Sequence, residues 1–190
     1  VPANTLREFI ALLKANPTRY SFGSAGIGTS QHISGELFNT LAGVKMQHIP
    51  YRGSGPMIPE LLGGTLLVAV DNITTVLQHI KAGKVRALAV TTAQRSSVAP
   101  DVPTMAESGL TGYELSSWQA VFAPAGTPKP IVERLYTEIG KILKMPDVVK
   151  RLNDLGLDIS GMPPAELAAL IKADVPRLGK VVKDSGATAN

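Results

Sequence analysis

The sequence contains no cysteine, one tryptophan and few aromatic residues of any kind (5%). The absence of cysteine excludes a disulfide framework, thiolate-bound zinc, iron–sulfur clusters and a cysteine nucleophile. It does not indicate a compartment, because a cysteine-free chain suits either redox environment. The chain also lacks a stretch of about 20 consecutive apolar residues, so no transmembrane helix is predicted.

The charge of the chain is mixed and evenly spread. Nineteen Lys and Arg stand against fifteen Asp and Glu, a formal net charge of +4. Because there is no basic run and few aromatic rings on which bases could stack, no nucleic-acid binding is predicted. With 44% hydrophobic and 18% charged residues over 190 positions, the chain is expected to fold around a hydrophobic core.

Residues 1–92 show helical and strand patterns in alternation. Thr5 and Glu8 form a capping box at the start of the first helical pattern, and Pro17 follows its end. Strands are predicted at residues 20–25, 46–50, 65–70 and 85–92, and further helices at residues 31–41, 56–62 and 74–81. The last two strands are continuous apolar runs, typical of strands buried on both faces of a parallel sheet. The alternation predicts an α/β fold.

Beyond residue 120 the pattern becomes mostly helical. Thr127 and Pro128 predict the N-cap and first residue of one helix, and Pro146 begins another. A short strand is predicted at residues 157–160 and a last helix at residues 163–184, which Pro176 is expected to kink or break. The apolar faces of these helices need a partner surface.

A glycine loop follows the first predicted strand and precedes the helix at residues 31–41. Its glycines allow backbone amides to turn toward a ligand, and the helix start adds partial positive charge, so the amides are predicted to face an empty hollow that accepts a carboxylate or phosphate. The loop is neither a dinucleotide fingerprint nor a P-loop. The alternative is an ordinary turn in which a hydroxyl caps the helix. The predicted ligand-binding residues here are Ser24, Ala25, Gly26, Gly28, Thr29 and Ser30.

A second glycine loop and an acidic residue follow the next predicted strands. Tyr51 and Gly53 belong to the loop, and Asp71 comes directly after residues 65–70. Ligands of open α/β sheets bind at the carboxyl ends of the strands, so all three are predicted to face the same site. Asp71 could hold a ligand ammonium or hydroxyl group, or could instead cap the helix that follows.

The three histidines lack the spacing of a metal site. His32 lies in the first turn after the glycine loop and could face the ligand, whereas His48 and His79 are interpreted as structural. No nucleophile elbow or nucleophile–base arrangement is visible. We therefore predict no catalytic residue, no metal and no cofactor.

Several motifs, taken together, resemble one family. Residues 20–32 read YSFGSAGIGTSQH, residues 48–56 read HIPYRGSGP, residues 79–84 read HIKAGK, residues 100–104 read PDVPT and residues 123–128 read APAGTP. In this order, and over the whole chain, they resemble the solute receptors of tripartite tricarboxylate transporters, which are TctC-like or Bug-type proteins.

The resemblance implies a periplasmic receptor that is not an enzyme. Such a receptor has a two-domain Venus-flytrap fold of the type II periplasmic-binding-protein kind, captures a small carboxylate (mono-, di- or tricarboxylate, or an amino acid) in its cleft and delivers it to a membrane permease. By position, residues 1–120 match the second, substrate-binding domain. Residues 121–190 match the hinge return and the C-terminal helices that complete the first domain, so the chain is expected to be truncated at its N-terminus and to associate with itself through those helices.

Two other functions stay open on the residues alone. One is an α/β enzyme that acts on a small carboxylate or phosphate, which would need a nucleophile or base beside the reacting centre. The other is an interaction module whose glycine loops are turns and nothing more.

Overall fold

A computed structural model describes residues 1–185. Its helices and strands, in chain order, are α1 (Leu6–Ala15), β1 (Ser21–Ser24), α2 (Ser30–Ala42), β2 (Gln47–Pro50), α3 (Ser54–Gly63), α4 (Ile73–Lys81), α5 (Lys129–Ile142), α6 (Pro146–Asp154) and α7 (Pro164–Ser185). Helices and strands therefore alternate from α1 to α3, and helices occupy the last part of the chain, as predicted. Between α3 and α4 the predicted alternation fails, because no strand separates these two helices.

The sheet is parallel and small. β1 pairs with β2 in a register that sets Phe22 opposite His48, and α2 connects the two strands. On the other side of β1, the Gly23 amide donates to the Val68 carbonyl at 2.9 Å and the Val70 amide donates to the Gly23 carbonyl at 3.0 Å. The carboxyl ends of three neighbouring segments thus meet at one edge of the sheet.

Three predicted strands are wrong: two are reduced to single bridges and the third does not form. Residues 65–70 contribute one bridge, between Gly23 and Ala69, and residues 85–92 contribute one, between Val90 and Thr104. Residues 157–160 form no strand. The run at residues 65–70 is not buried on both faces, because Leu67 is 48% exposed. The continuous apolar run at these residues therefore lies close to the core but does not pair as a regular strand.

The hydrophobic core lies between α1, β1 and α2. The Phe9 ring stacks on Phe38 with centroids 6.1 Å apart and meets the edge of Tyr20 at 6.3 Å. Phe22 is completely buried beneath α2. Leu41, the last residue of the helix predicted at residues 31–41, is 41% exposed because it falls outside the buried face of α2.

Three proline and threonine predictions at the helices need correction. Thr5 caps α1 as predicted, but Thr127 precedes the N-cap of α5, and its hydroxyl donates to the Pro124 carbonyl at 2.8 Å. The helix predicted at residues 56–62 would place Pro59 in its first turn, but α3 begins two residues earlier and Pro59 lies inside it. α7 runs through Pro176 without a break. Pro176 is exposed, so water can reach the carbonyl group that has lost its helical partner.

The C-terminal helices fold back only in part onto the α/β body. α7 lies against α2, and the Arg177 guanidinium donates to the Glu114 carbonyl at 2.7 Å. On α5, by contrast, the side chains of Ile131, Leu135 and Ile142 are 51%, 47% and 49% exposed. An apolar face of this helix is therefore uncovered within residues 1–185.

Candidate ligand-binding site

The two glycine loops lie side by side at the carboxyl ends of β1 and β2. The Tyr51 amide donates to the Ser24 carbonyl at 3.0 Å, and the Gly53 amide donates to the Ala25 carbonyl at 3.0 Å. These bonds extend the parallel ladder beyond the strands, so the loops are held as one unit. The predicted meeting of the two loops at one sheet edge is what the structure shows.

Glycine is required at three points of this unit. Gly26, Gly28 and Gly53 have φ angles of +143°, +75° and +94°, a region that L side chains rarely adopt. A side chain at Gly26 would also lie 3.3 Å from the Tyr51 carbonyl oxygen. The close approach of the two loops therefore depends on the absence of a side chain at that position.

Part of the loop's hydrogen-bonding capacity is used internally. Thr29 is the N-cap of α2, and its hydroxyl accepts from the His32 amide at 3.3 Å, which confirms the capping alternative. Three further amides have protein acceptors: Gly26 N–H to Ser24 Oγ at 3.1 Å, Gly28 N–H to His32 Nδ1 at 3.1 Å, and Thr29 N–H to the Gly26 carbonyl at 3.3 Å. For these groups the expectation of amides facing an empty hollow is wrong.

Another set of amides is unsatisfied. Within residues 1–185, the N–H groups of Ala25, Ile27, Ser30 and Gln31 have no hydrogen-bond acceptor. Ser30 and Gln31 are the first two residues of α2, whose amides cannot be satisfied within the helix. Their donors and the partial positive charge of the helix start favour an anion at this position.

Two predicted ligand residues lie behind the loop. Ser24 is completely buried and His32 is 5% exposed. The Ser24 hydroxyl is 2.6 Å from His48 Nε2, and the imidazole rings of His32 and His48 stack with centroids 3.7 Å apart at an angle of 11°. Both side chains therefore support the loop from inside.

The pairing of His32 with His48 was missed by sequence reasoning. The two residues lie on different elements, 16 positions apart, and no local pattern connects them. The only signal was indirect: His32 lies in the first turn of the helix after the first glycine loop, and His48 lies on the strand that follows this helix. Burial, together with the neighbouring His32, lowers the pKa of His48 to about 4. Burial also lowers the pKa of His32, although the Glu36 carboxylate opposes this.

The Ser24–His48 distance is that of a nucleophile and its base, but a substrate cannot reach the serine. A serine nucleophile must reach a substrate carbonyl, and the Ser24 side chain has no exposed surface. Its hydroxyl also accepts from the Gly26 amide and lies 3.2 Å from the Gly26 carbonyl. The contact therefore fits a structural role in the loop.

Tyr51 and Asp71 are also engaged within the protein. The Tyr51 hydroxyl donates to Glu60 Oε2 at 2.7 Å, and this bond, with burial and the Glu60 charge, raises the pKa of Tyr51 to about 12. Asp71 accepts from the Ser54 hydroxyl at 2.6 Å, the Asn72 amide at 2.9 Å and the Thr75 hydroxyl at 2.7 Å. Asp71 thus ties the start of α3 to the start of α4, next to the second glycine loop.

Two features are absent from residues 1–185. No three histidine, aspartate or glutamate side chains come together in a way that could bind a metal ion. In the same residues, no helix combines the length and the apolarity that crossing a bilayer requires.

Comparison with known proteins gives a consistent picture. The family model of the tripartite tricarboxylate transporter family receptor, TctC, matches residues 1–187. A UPF0065 protein from the tcbD–tcbE intergenic region of a Pseudomonas species is 44% identical over the whole chain, and BugT of Bordetella pertussis is 36% identical over 97% of it. The chain spans 58% and 56% of the lengths of these two relatives.

Solved structures match the fold over nearly the whole chain. Rpa4515 of R. palustris, solved with adipate, has a TM-score of 0.89 and 34% identity over 99% of this chain and 63% of its own. MatC of Rhodopseudomonas palustris, solved with bound malate, has a TM-score of 0.81 and 33% identity over 95% of this chain and 63% of its own. The periplasmic binding protein BugD has a TM-score of 0.82 and 34% identity, covering 100% of this chain and 64% of its own.

These matches confirm the predicted α/β fold of the periplasmic-binding-protein type, present here in part. They also confirm the resemblance on which the sequence interpretation relied. Members of this family are periplasmic solute-binding proteins, and structures of two of them hold small carboxylates. The chain belongs to the TctC family of tripartite tricarboxylate transporter receptors.

Proposed function

We propose that this chain carries the carboxylate-binding loop of a periplasmic solute receptor. The observation that carries the proposal is the set of unsatisfied amides at the start of α2, Ser30 and Gln31, beside the exposed loop residue Ile27. A carboxylate oxygen accepts from such donors without needing a positively charged side chain. Adipate and malate, bound by two proteins of the same fold, are acids of this class.

The chemistry of the loop favours binding over turnover. Its donors come from the backbone and are fixed by glycines with positive φ angles, so they can hold an anion but cannot transfer a proton to it. The buried Ser24 is not available as a nucleophile. We therefore propose capture and release of an unchanged solute, with delivery to the membrane permease of a tripartite tricarboxylate transporter, and no enzymatic reaction.

The proposed ligand-binding residues divide into two groups. The backbone of Ala25, Gly26, Gly28, Thr29, Ser30 and Gly53 shapes the rim of the site, to which we add Ile27 and Gln31 for their free amides. Ser24, His32, Tyr51 and Asp71 have side chains with partners inside the protein, so their proposed contribution is to hold the rim in place.

We further propose that residues 1–120 form the substrate-binding domain and that residues 121–190 return toward a first domain of the longer receptor. The exposed apolar side chains of α5 and of Val121 and Phe122, which are 75% and 65% exposed, support this division. In the longer relatives the same face would be covered by the rest of the polypeptide. Association of two copies through this face is the alternative, and sedimentation of the 190-residue chain over a range of concentrations distinguishes them.

Isothermal calorimetry on the natural polypeptide, as its gene encodes it, tests the function. The panel should hold adipate, malate, a monocarboxylate, an amino acid and inorganic phosphate, with the neutral diamide of adipate as the matched control. We expect heat from at least one carboxylate and none from the diamide. A protein that binds phosphate or the diamide as well as it binds any carboxylate would contradict the proposal.

A further inference from the structure

The stacked rings of His32 and His48 lie directly behind the backbone of the glycine loop. His32 is on α2 and is 5% exposed, whereas His48 is on β2 and is half-buried. Phe22 of β1 stacks on the other side of His48 with centroids 5.0 Å apart. The two imidazoles thus join α2, β1 and β2 at the point where the loop begins.

Each ring holds a different part of the loop. His32 Nδ1 accepts from the Gly28 amide at 3.1 Å, so this nitrogen carries no proton, and the neutral ring has its proton on Nε2. His48 Nε2 contacts the Ser24 hydroxyl, and that hydroxyl accepts from the Gly26 amide at 3.1 Å. Gly28 is therefore anchored directly by the His32 ring, and Gly26 is anchored by the His48 ring through the Ser24 hydroxyl.

Burial keeps the pair neutral. Within residues 1–185, the acidic group next to the pair is Glu36 on α2, with its carboxylate 3.8 Å from His32 Nε2. β1 contributes the uncharged Ser24 and Phe22, and β2 contributes His48 itself. If both stacked rings were protonated, one carboxylate could not compensate the repulsion between their positive charges. A proton on His32 Nδ1 would also place two N–H donors, this one and the Gly28 amide, face to face.

We propose that the neutral His32–His48 pair is the positioning element of the ligand loop, which orients the free amides of Ile27 and Ser30 by fixing Gly28 and Gly26. This inference rests on the proposed function. It changes the role first predicted for His32, from a residue that contacts the ligand to one that acts through the Gly28 amide. The negative charge of Glu36, 3.8 Å from Nε2, favours a proton on that nitrogen and so the tautomer that leaves Nδ1 free.

Three variants of the natural polypeptide test the positioning role by calorimetry with adipate and malate. His32→Asn keeps an acceptor oxygen close to the place of Nδ1, and His32→Leu removes it. We expect His32→Leu to weaken affinity by roughly tenfold or more, and His32→Asn to restore it to within about threefold of the wild type. His79→Asn, at the end of α4, is the matched control and should bind as the wild type does.

A ligand-free measurement separates this inference from the proposed function. With only three histidines in the chain, ¹H–¹⁵N correlation spectra assign the protonated nitrogen of each ring directly. We expect His32 in the Nε2–H form and a Gly28 amide protected from hydrogen exchange, with that protection lost in His32→Leu and kept in His32→Asn. A protonated Nδ1 on His32, or a Gly28 amide that exchanges equally in all variants, would overturn the positioning role, whatever the panel of acids shows.

Discussion

Gly35, in the middle of α2, is the position where packing beneath the site can be tested most sharply. A methyl group added there would lie 2.1 Å, 2.4 Å and 2.7 Å from three ring atoms of Phe22. Phe22 is fully buried and stacks on His48, so its ring has no open space into which it can turn. Such overpacking costs about 1–3 kcal/mol or more, whereas alanine in a helix interior gains about 1 kcal/mol over glycine.

Three contacts below 3 Å place the overpacking cost at the upper end of that range, so we expect Gly35→Ala to lower the free energy of unfolding by about 2 kcal/mol, measured by urea denaturation of the natural polypeptide. Gly179→Ala is the matched control, because Gly179 is also inside a helix and an added methyl group there meets no described atom within 4 Å. That variant should be as stable as the wild type or more so. A Gly35→Ala protein at least as stable as the wild type would refute the packing of α2 on Phe22.

Two further predictions concern buried polar groups. The pKa of His48 is about 4 in the folded protein and near 6.5 in the unfolded chain, so the unfolded chain takes up a proton first as the pH falls. The stability of the protein should therefore be constant above pH 6.5 and should decline from there toward pH 4. For this partly solvated ring we expect the free energy of unfolding, measured by urea denaturation, to fall by about 1 kcal/mol between pH 7.5 and pH 5, and by less in His48→Gln. The same dependence of stability on pH in both proteins would contradict this. Tyr113→Phe removes a buried hydroxyl that lies 2.6 Å from Ser34 Oγ and donates to the Ser34 carbonyl at 2.8 Å. Thermal unfolding should show that the free energy of unfolding falls by about 1–3 kcal/mol, and an unchanged unfolding midpoint would count against that contact.

Helices and turns were predictable because their signals are local. The capping threonine before α1, the glycine that ends α2 and the apolar spacing of α1 all act within a few residues, and all appear in the structure. The strands at residues 65–70 and 85–92 were overestimated because pairing depends on a partner elsewhere in the chain. These apolar runs pack against the core through partly buried side chains such as Val68 and Leu88, but only Ala69 and Val90 find a bridging partner.

The candidate site was predictable in its backbone and not in its side chains. Glycine spacing after two neighbouring strands located the loops, because strand ends in a parallel sheet share an edge. Which side chains face the ligand depends on long-range contacts: Tyr51 turns to Glu60, Asp71 to Ser54, and His32 to His48. No local pattern specifies any of these three pairs.

Ser30→Pro tests directly whether the unsatisfied amides at the start of α2 bind a carboxylate. Proline is well tolerated at the first position of a helix, and Thr29, with φ −70° and ψ 160°, already has the extended backbone that a following proline requires. The substitution removes one donor and should leave the fold intact, while Ser30→Ala removes the hydroxyl and keeps the amide.

The decisive measurement is calorimetry on both variants with the acid that the wild-type protein binds best. Losing a hydrogen bond to a charged acceptor costs about 1.5–3 kcal/mol, so Ser30→Pro should bind roughly 10–100-fold more weakly than Ser30→Ala. Equal affinity of the two folded variants would show that the amide does not hold the ligand.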